Sequence, residues 1–218
     1  MDSYRELRAV TLDVGGTLMT PWPSVGDVYA EVAERNDILV SPAVLNRNFA
    51  RAWKELRQFN HRREEWAALV DATFVKMLDL PPSKTFFPQI YDRFAEPSAW
   101  RVFDDVKPAL ESLAARGVKL GIISNWDDRL RPLLAKLDLA KYFEVIVISC
   151  EVGFTKPSPV IFEQASRNLG LAPELILHVG DSREHDFAGA KAAGFKAALL
   201  ERDVDSEGQE VVRSLAEI

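Results

Sequence analysis

Four short apolar runs in this chain each stop at a cluster of polar or ionisable residues, and that repeated ending constrains the fold more than any other feature. Ala9-Val10-Thr11-Leu12 runs into Asp13-Val14-Gly15-Gly16-Thr17-Leu18. The run at 118–123 meets Ser124-Asn125-Trp126-Asp127, and the run at 145–149 is followed, past a loop, by Lys156-Pro157. The run at 175–179 meets Gly180-Asp181-Ser182-Arg183-Glu184-His185-Asp186. Helical spacing fills 105–116, 127–137, 157–169 and 186–193, and Gly117, Gly170 and Gly194 close three of these stretches. A last strand is expected at 196–200, and a short helix in the charged tail near 210–215. Strands alternating with helices predict a parallel sheet covered on both faces, with right-handed crossovers.

The region from about 26 to 94 has a different texture. Val28, Val32, Val44, Phe49, Trp53, Leu56, Trp66, Leu69, Val70, Phe74 and Met77 recur at helical spacing, with no strand-like alternation. Ser41-Pro42 has the form of an N-cap followed by proline at the first helical position. We read 21–97 as an all-helical cap inserted into a core made of 1–20 and 98–218. The fold class is α/β: a Rossmann-like parallel sheet core with helices on both faces and an all-helical cap insertion.

Composition narrows the partners. The chain has 218 residues, 47% hydrophobic and 28% charged, enough for one such core plus a modest insertion. Its net charge of −6 argues against nucleic acid, whose phosphate backbone needs a basic face. No apolar run reaches membrane-spanning length, and Met1 to Glu6 lack the apolar stretch of a secretory signal. The single cysteine, Cys150, follows a β-branched run and is expected to be a buried, inert thiol. These features predict a cytoplasmic protein with no membrane partner. They leave the oligomeric state open.

Ligands of parallel sheets bind outside the carboxyl ends of the strands, where the polar clusters fall. Asp13, Asp181 and Asp186 would repel one another there unless a cation joined them. Oxygen ligands suit a hard ion, and magnesium (Mg2+) fits. Lys156 can hold a phosphoryl oxygen and Ser124 can donate to another, which leaves Asp13 to attack phosphorus and form an aspartyl-phosphate. Short motifs taken singly carry false positives, because Asp13 could mark only a turn and Ser124 and Asp186 are good N-caps. Four in order after successive strands are harder to dismiss.

In that order, the four segments resemble the four motifs of the haloacid dehalogenase-like hydrolase superfamily, and the insertion resembles its C1 cap. The stretch from Ser124 to Leu130 is most similar to the subgroup called haloacid dehalogenase-like hydrolase domain-containing protein 3. The resemblance implies catalytic roles for Asp13, Ser124 and Lys156, and a metal held by Asp13, the Gly15 carbonyl, Asp181 and Asp186. Thr17, Asn125 and Trp126 are expected to contact substrate, a small phosphorylated metabolite or an acyl phosphate. One departure stands out: the family's phosphatases carry a second aspartate two residues after the nucleophile, and here that position is Gly15. A positioned acid or base contributes roughly 10²–10⁴-fold in rate.

Two other functions remain open. One is a 2-haloacid dehalogenase, whose family pattern also lacks the second aspartate but lacks the leading aspartate of the fourth motif as well. The other is a binding or regulatory protein that keeps the pocket. His178 is expected to be a satisfied core histidine, His185 a surface or supporting residue, and His61 part of a solvated face. Trp53 and Trp66 fit helical core stripes, and Lys54 or Lys76 could offer a cap amine. If the missing acid limits turnover, Gly15→Asp raises hydrolysis of ordinary phosphate monoesters, read by phosphate release. A well-folded variant with no gain contradicts that explanation.

Overall fold

The structure, a computed structural model, describes residues 7–56, 58–202 and 210–218. The apolar runs form strands because their alternate side chains enter two separate cores. β1 (Ala9–Leu12) is buried along its whole length. Its Val10 and Leu12 pack into one core and its Ala9 into the other. β2 (Met19–Pro21) then leads the chain away from the sheet.

Four helices follow: α1 (Val25–Glu34), α2 (Pro42–Glu55), α3 (Arg63–Thr73) and α4 (Phe87–Arg93). Ser24 caps α1 by accepting from Asp27 N, whereas Ser41 precedes Pro42 of α2 without a side-chain cap bond. Tyr29, Val32, Leu45, Val70, Phe74, Phe86 and Ile90 give these helices a core of their own. The chain returns through β3 (Trp100–Val102), which pairs antiparallel with β2. This two-stranded ribbon is absent from the expectations, since three-residue strands carry no readable period.

The remaining elements alternate. They are α5 (Val106–Ala115), β4 (Lys119–Ser124), α6 (Leu130–Lys136), β5 (Val145–Ile148), α7 (Ser149–Val152), α8 (Pro159–Leu169) and β6 (Ile176–Gly180). A π-helical turn at Arg183–Ala188, α9 (Gly189–Ala192), β7 (Lys196–Leu200) and β8 (Val211–Val212) complete the chain. The sheet order is β5-β4-β1-β6-β7-β8, with every pair parallel. The order turns around at β1, and that turning point opens a crevice at the strands' carboxyl ends.

Three expected boundaries change. The helix read at 127–137 starts only at Leu130, because Asp127 is engaged by Arg129. The stretch read as 186–193 divides into the π-helical turn and α9. The terminal helix read near 210–215 is instead β8 and a single 3-10 turn at Leu215–Glu217. Two adjacent valines lie on the sheet edge beside Leu199 and Leu200, and Val212 enters the main core, so pairing outweighs helix formation. The reading of Met1 to Glu6 lies outside the described residues. Among the described residues no helix is long and apolar enough to cross a membrane.

Asp105 fastens the C-terminus to this framework. Its Oδ2 accepts from Arg202 Nη1 (2.9 Å), Ser214 Oγ (2.9 Å) and Leu215 N (2.8 Å). Burial acts to raise its pKa, but these donors outweigh burial and hold the carboxyl below its usual 3.8. Its contribution to stability is therefore complete above that value and fades as pH falls through the lowered folded pKa. Asp105→Ala should cost about 1–3 kcal/mol in urea unfolding at neutral pH. The gap from wild type should narrow by about pH 2; a gap unchanged over that range contradicts the assignment.

Candidate active site

Three carboxylates and one ammonium meet at the turning point of the sheet. Asp13 follows β1 directly, and its N–H donates to Val179 O of β6 (3.0 Å), which fixes its side chain above the strand ends. Asp13 Oδ1 accepts from Ser124 Oγ at the end of β4 (2.9 Å) and from Lys156 Nζ (2.7 Å). Lys156 Nζ also donates to Asp186 Oδ1 (2.5 Å) and Ile123 O (2.9 Å), so its three protons are all engaged. Asp186 accepts from Ser182 N (2.9 Å) and lies 3.2 Å from His178 Nε2. Thr17 Oγ1 donates to Asp181 Oδ1 (3.2 Å). Oxygens of Asp13, Asp181 and Asp186 all lie within 4.8 Å of one another.

Two glycines make this convergence sterically possible. Gly16 has φ +79°, and a Cβ on it would run into the Asp181 carboxylate. A Cβ on Gly180 would run into the Asp186 side chain. Any larger residue at either position would push a carboxylate out of the cluster.

The electrostatics favour a cation. Burial pushes Asp181 up to about 7, helped by the neighbouring Asp13 and Asp186. Burial also keeps Asp13 above its ordinary range, although Lys156 opposes it. Asp186 moves the other way: burial raises it, but the Lys156 charge and the His178 bond outweigh burial and hold it well below the usual carboxylate range. Lys156 is raised, its loss of solvation more than offset by Asp13 and Asp186. One ammonium thus faces three acids, Asp13 and Asp186 buried and Asp181 at the cavity surface, a donor set of hard oxygens that fits a divalent ion such as magnesium.

The other expected residues divide by environment. Asn125 clamps the backbone of Lys156, its Oδ1 accepting from Lys156 N (2.7 Å) and its Nδ2 donating to Lys156 O (3.1 Å). Asn125, Trp126 and Gly15 line a cavity of about 1060 Å³ that also holds Asp13, Lys156, Asp181 and Asp186. Thr17 is fully buried beneath Asp181 and is not part of the cavity wall. Trp126 lies directly over Gly15: a Cβ there would sit 3.3 Å from the indole. A side chain at this position would press on the ring, which would have to give by a few tenths of an ångström.

Several sequence expectations are corrected. His61 is not on a solvated face; it is 9% exposed and lines the cavity, and burial lowers its pKa to about 4. Trp53 lines the cavity instead of filling a core and is 43% exposed, whereas Trp66 packs against the core of the helical region as expected and also lines the cavity. Cys150 is exposed, because the chain turns into α7 at Ser149 and carries the thiol off the strand. Lys54 and Lys76 are exposed and absent from the wall. His178 is the satisfied core histidine expected, bonded to Thr11 Oγ1 (3.0 Å) and to Asp186.

Arg129 was missed altogether. Asp127 holds its guanidinium through two bonds (2.8 and 2.6 Å), it donates to Tyr91 O (2.7 Å), and it lies 3.5 Å from the Tyr91 ring centroid. It links the loop after β4 to α4, a contact between residues 38 apart that no local pattern announces.

A parallel sheet with an acidic cluster, lysine and serine at its turning point defines a haloacid dehalogenase-like hydrolase. The family model for haloacid dehalogenase-like hydrolases matches residues 7–194, and the chain belongs to that family. Within it, the chain is 31% identical to haloacid dehalogenase-like hydrolase domain-containing protein 3 of Danio rerio, over 97% of this chain and 95% of the relative. It is 29% identical to phosphoglycolate phosphatase of Shigella boydii, over 89% of this chain and 81% of that one. The crystal structure of a HAD phosphatase from Thermococcus onnurineus superposes with a TM-score of 0.71 at 26% identity, covering 97% of this chain and 95% of that one.

The indole over Gly15 alters what an added acid can achieve. Gly15→Asp alone makes a tight contact with Trp126, and Gly15→Asp with Trp126→Ala relieves it. The double variant should exceed the single one in monoester hydrolysis, within the roughly 10²–10⁴-fold range of a positioned acid. Equal rates for the two would show that the ring does not obstruct the position.

Proposed function

We propose that this protein is a magnesium-dependent phosphatase-like hydrolase that acts through an aspartyl-phosphate on Asp13. One observation carries the reading: Ser124 and Lys156 converge on Oδ1 of a buried aspartate beside two further carboxylates. Phosphoglycolate phosphatase among its relatives supports a small phosphorylated metabolite as substrate. The cytoplasm, with its magnesium and phosphorylated metabolites, is the compartment that suits such an activity. The helices of 21–97 form the cap, and 1–20 with 98–218 form the catalytic core.

Asp13, Asp181 and Asp186, with the Gly15 carbonyl, would hold the magnesium. Once bound, it would offset their mutual repulsion and polarise a phosphoryl oxygen. Lys156 and Ser124 tether one oxygen of Asp13, so the other, Oδ2, attacks. A bond forms from Oδ2 to phosphorus as the bond from phosphorus to the leaving oxygen breaks, and that oxygen departs with the electron pair. Lys156 steadies the negative charge on the phosphoryl group, and the single O–H of Ser124 turns from Asp13 Oδ1 to a phosphoryl oxygen as that charge builds. Asn125 keeps the lysine in place through its backbone. Water then attacks phosphorus, phosphate is released and the Asp13 carboxylate is restored. No carboxylic acid stands at position 15 to protonate the leaving oxygen, so turnover of alkyl monoesters is weak.

Asp13→Asn should reduce magnesium-dependent phosphate release from acetyl phosphate to background, and a chelator should do the same to the wild type. Release that persists in Asp13→Asn contradicts the nucleophile. Chelator-resistant halide release from chloroacetate, with no phosphate release, would make the protein a dehalogenase. Absence of both activities would favour a binding role.

A further inference from the structure

We propose that the substrate of this site is an aryl phosphate: a phosphate carried on the phenol-type oxygen of a flat, uncharged body. The inference rests on the phosphatase reading above and adds the chemistry of the leaving group. Two independent features lead to it.

The first is the position of Trp126. Its indole packs 3.3 Å from where a Cβ on Gly15 would stand, and Gly15 itself carries no proton donor for the leaving oxygen. That oxygen therefore leaves as an anion beside an aromatic wall. An alkoxide is a poor leaving group under those conditions, and a phenoxide, whose charge spreads into its ring, is a far better one. The phosphorus–oxygen bond breaks with both electrons passing to the phenoxide, which takes up its proton from water after release.

The second feature is the aromatic lining of the cavity. Trp53, Phe59, Trp66, Tyr91, Trp100 and Trp126 all line it. Trp53 and Trp66 stack at 6.1 Å with an interplanar angle of 28°, and Trp100 lies 5.2 Å from Trp126. Only two permanently cationic side chains line the cavity among the described residues, Arg129 and Lys156. Asp127 neutralises Arg129, and Asp13 and Asp186 neutralise Lys156. The wall thus offers no unpaired cation to a second anionic group, such as the carboxylate of phosphoglycolate. Flat apolar surface is what it offers instead, and a ring offset against an indole gains about 0.5–1.5 kcal/mol beyond simple burial. Acetyl phosphate also has a good leaving group but would leave most of the cavity unfilled. His61 Nδ1 and Trp66 Nε1, both buried without a hydrogen-bond partner, are on side chains of the same wall, so a polar substituent on the aryl body would meet unsatisfied groups there.

The test compares kcat/KM for 1-naphthyl phosphate, acetyl phosphate, 2-phosphoglycolate and glycerol phosphate, with magnesium, in the full chain and in Asp13→Asn. Naphthyl phosphate should exceed acetyl phosphate and phosphoglycolate by about tenfold or more. Across substituted phenyl phosphates, kcat/KM should rise about tenfold for each two-unit fall in the phenol's pKa. Trp53→Ala, at a half-exposed position, should lower the ratio of naphthyl to acetyl phosphate turnover, chiefly through KM. Asp13-dependent hydrolysis that favours acetyl phosphate or phosphoglycolate overturns the substrate class and leaves the phosphatase reading intact. A rate insensitive to the phenol's pKa overturns the unassisted departure. No Asp13-dependent release from any of the four compounds overturns both readings.

Discussion

The ammonium of Lys156 is the pivot of this molecule. It is buried between Asp13 and Asp186 and caps the carbonyl of Ile123, so it joins the ends of β1 and β4 to the turn that follows β6. Removing one partner of a buried ion pair costs about 3–5 kcal/mol, because the other charge is left stranded. Yet the lysine does not balance the cluster. Asp181 remains, raised to about 7 by burial and by its neighbours. The site is built with more negative charge than its own side chains neutralise, and a metal with a phosphoryl group would complete it.

The rest of the fold holds that excess charge together. β1 lies between β4 and β6, so the sheet order turns around beside Asp13. Gly16 and Gly180 let Asp181 and Asp186 approach closely. His178, within β6, relays from Thr11 to Asp186 and so connects strand interior to site. On the other side, Arg129 ties the loop after β4 to α4 and brings the helical region over the cluster. The cavity between them is charged at its floor and aromatic at its wall. That contrast separates the chemistry from the recognition of the leaving group.

Much of this was legible in the sequence, for physical reasons. Parallel strands bury both faces and read as continuous apolar runs, so the residues that end each run announce the cleft. Asp13, Ser124, Lys156, Asp181 and Asp186 were found that way, and the structure brings all five together. Local spacing could not show what depends on packing between distant segments. Thr17 was expected at the substrate and lies beneath Asp181. His61 and Trp53 looked like face and core residues, and Trp66 like a core residue only, because a helical stripe has the same period whether it meets a core or a cavity. The indole packed against Gly15 was out of reach for the same reason: a missing aspartate is visible in the sequence, but the ring that lies beside the glycine is not.

A crystal structure of the protein with magnesium and beryllofluoride would test the central claim most directly. The account predicts a fluoroberyllate group on Asp13 and one magnesium ion in contact with Asp13, Asp181 and Asp186, at about 2.0–2.1 Å from its oxygen ligands. Lys156 and Ser124 should turn toward the fluorines. An adduct on another residue, or a cluster that holds no ion at saturating magnesium, would contradict it.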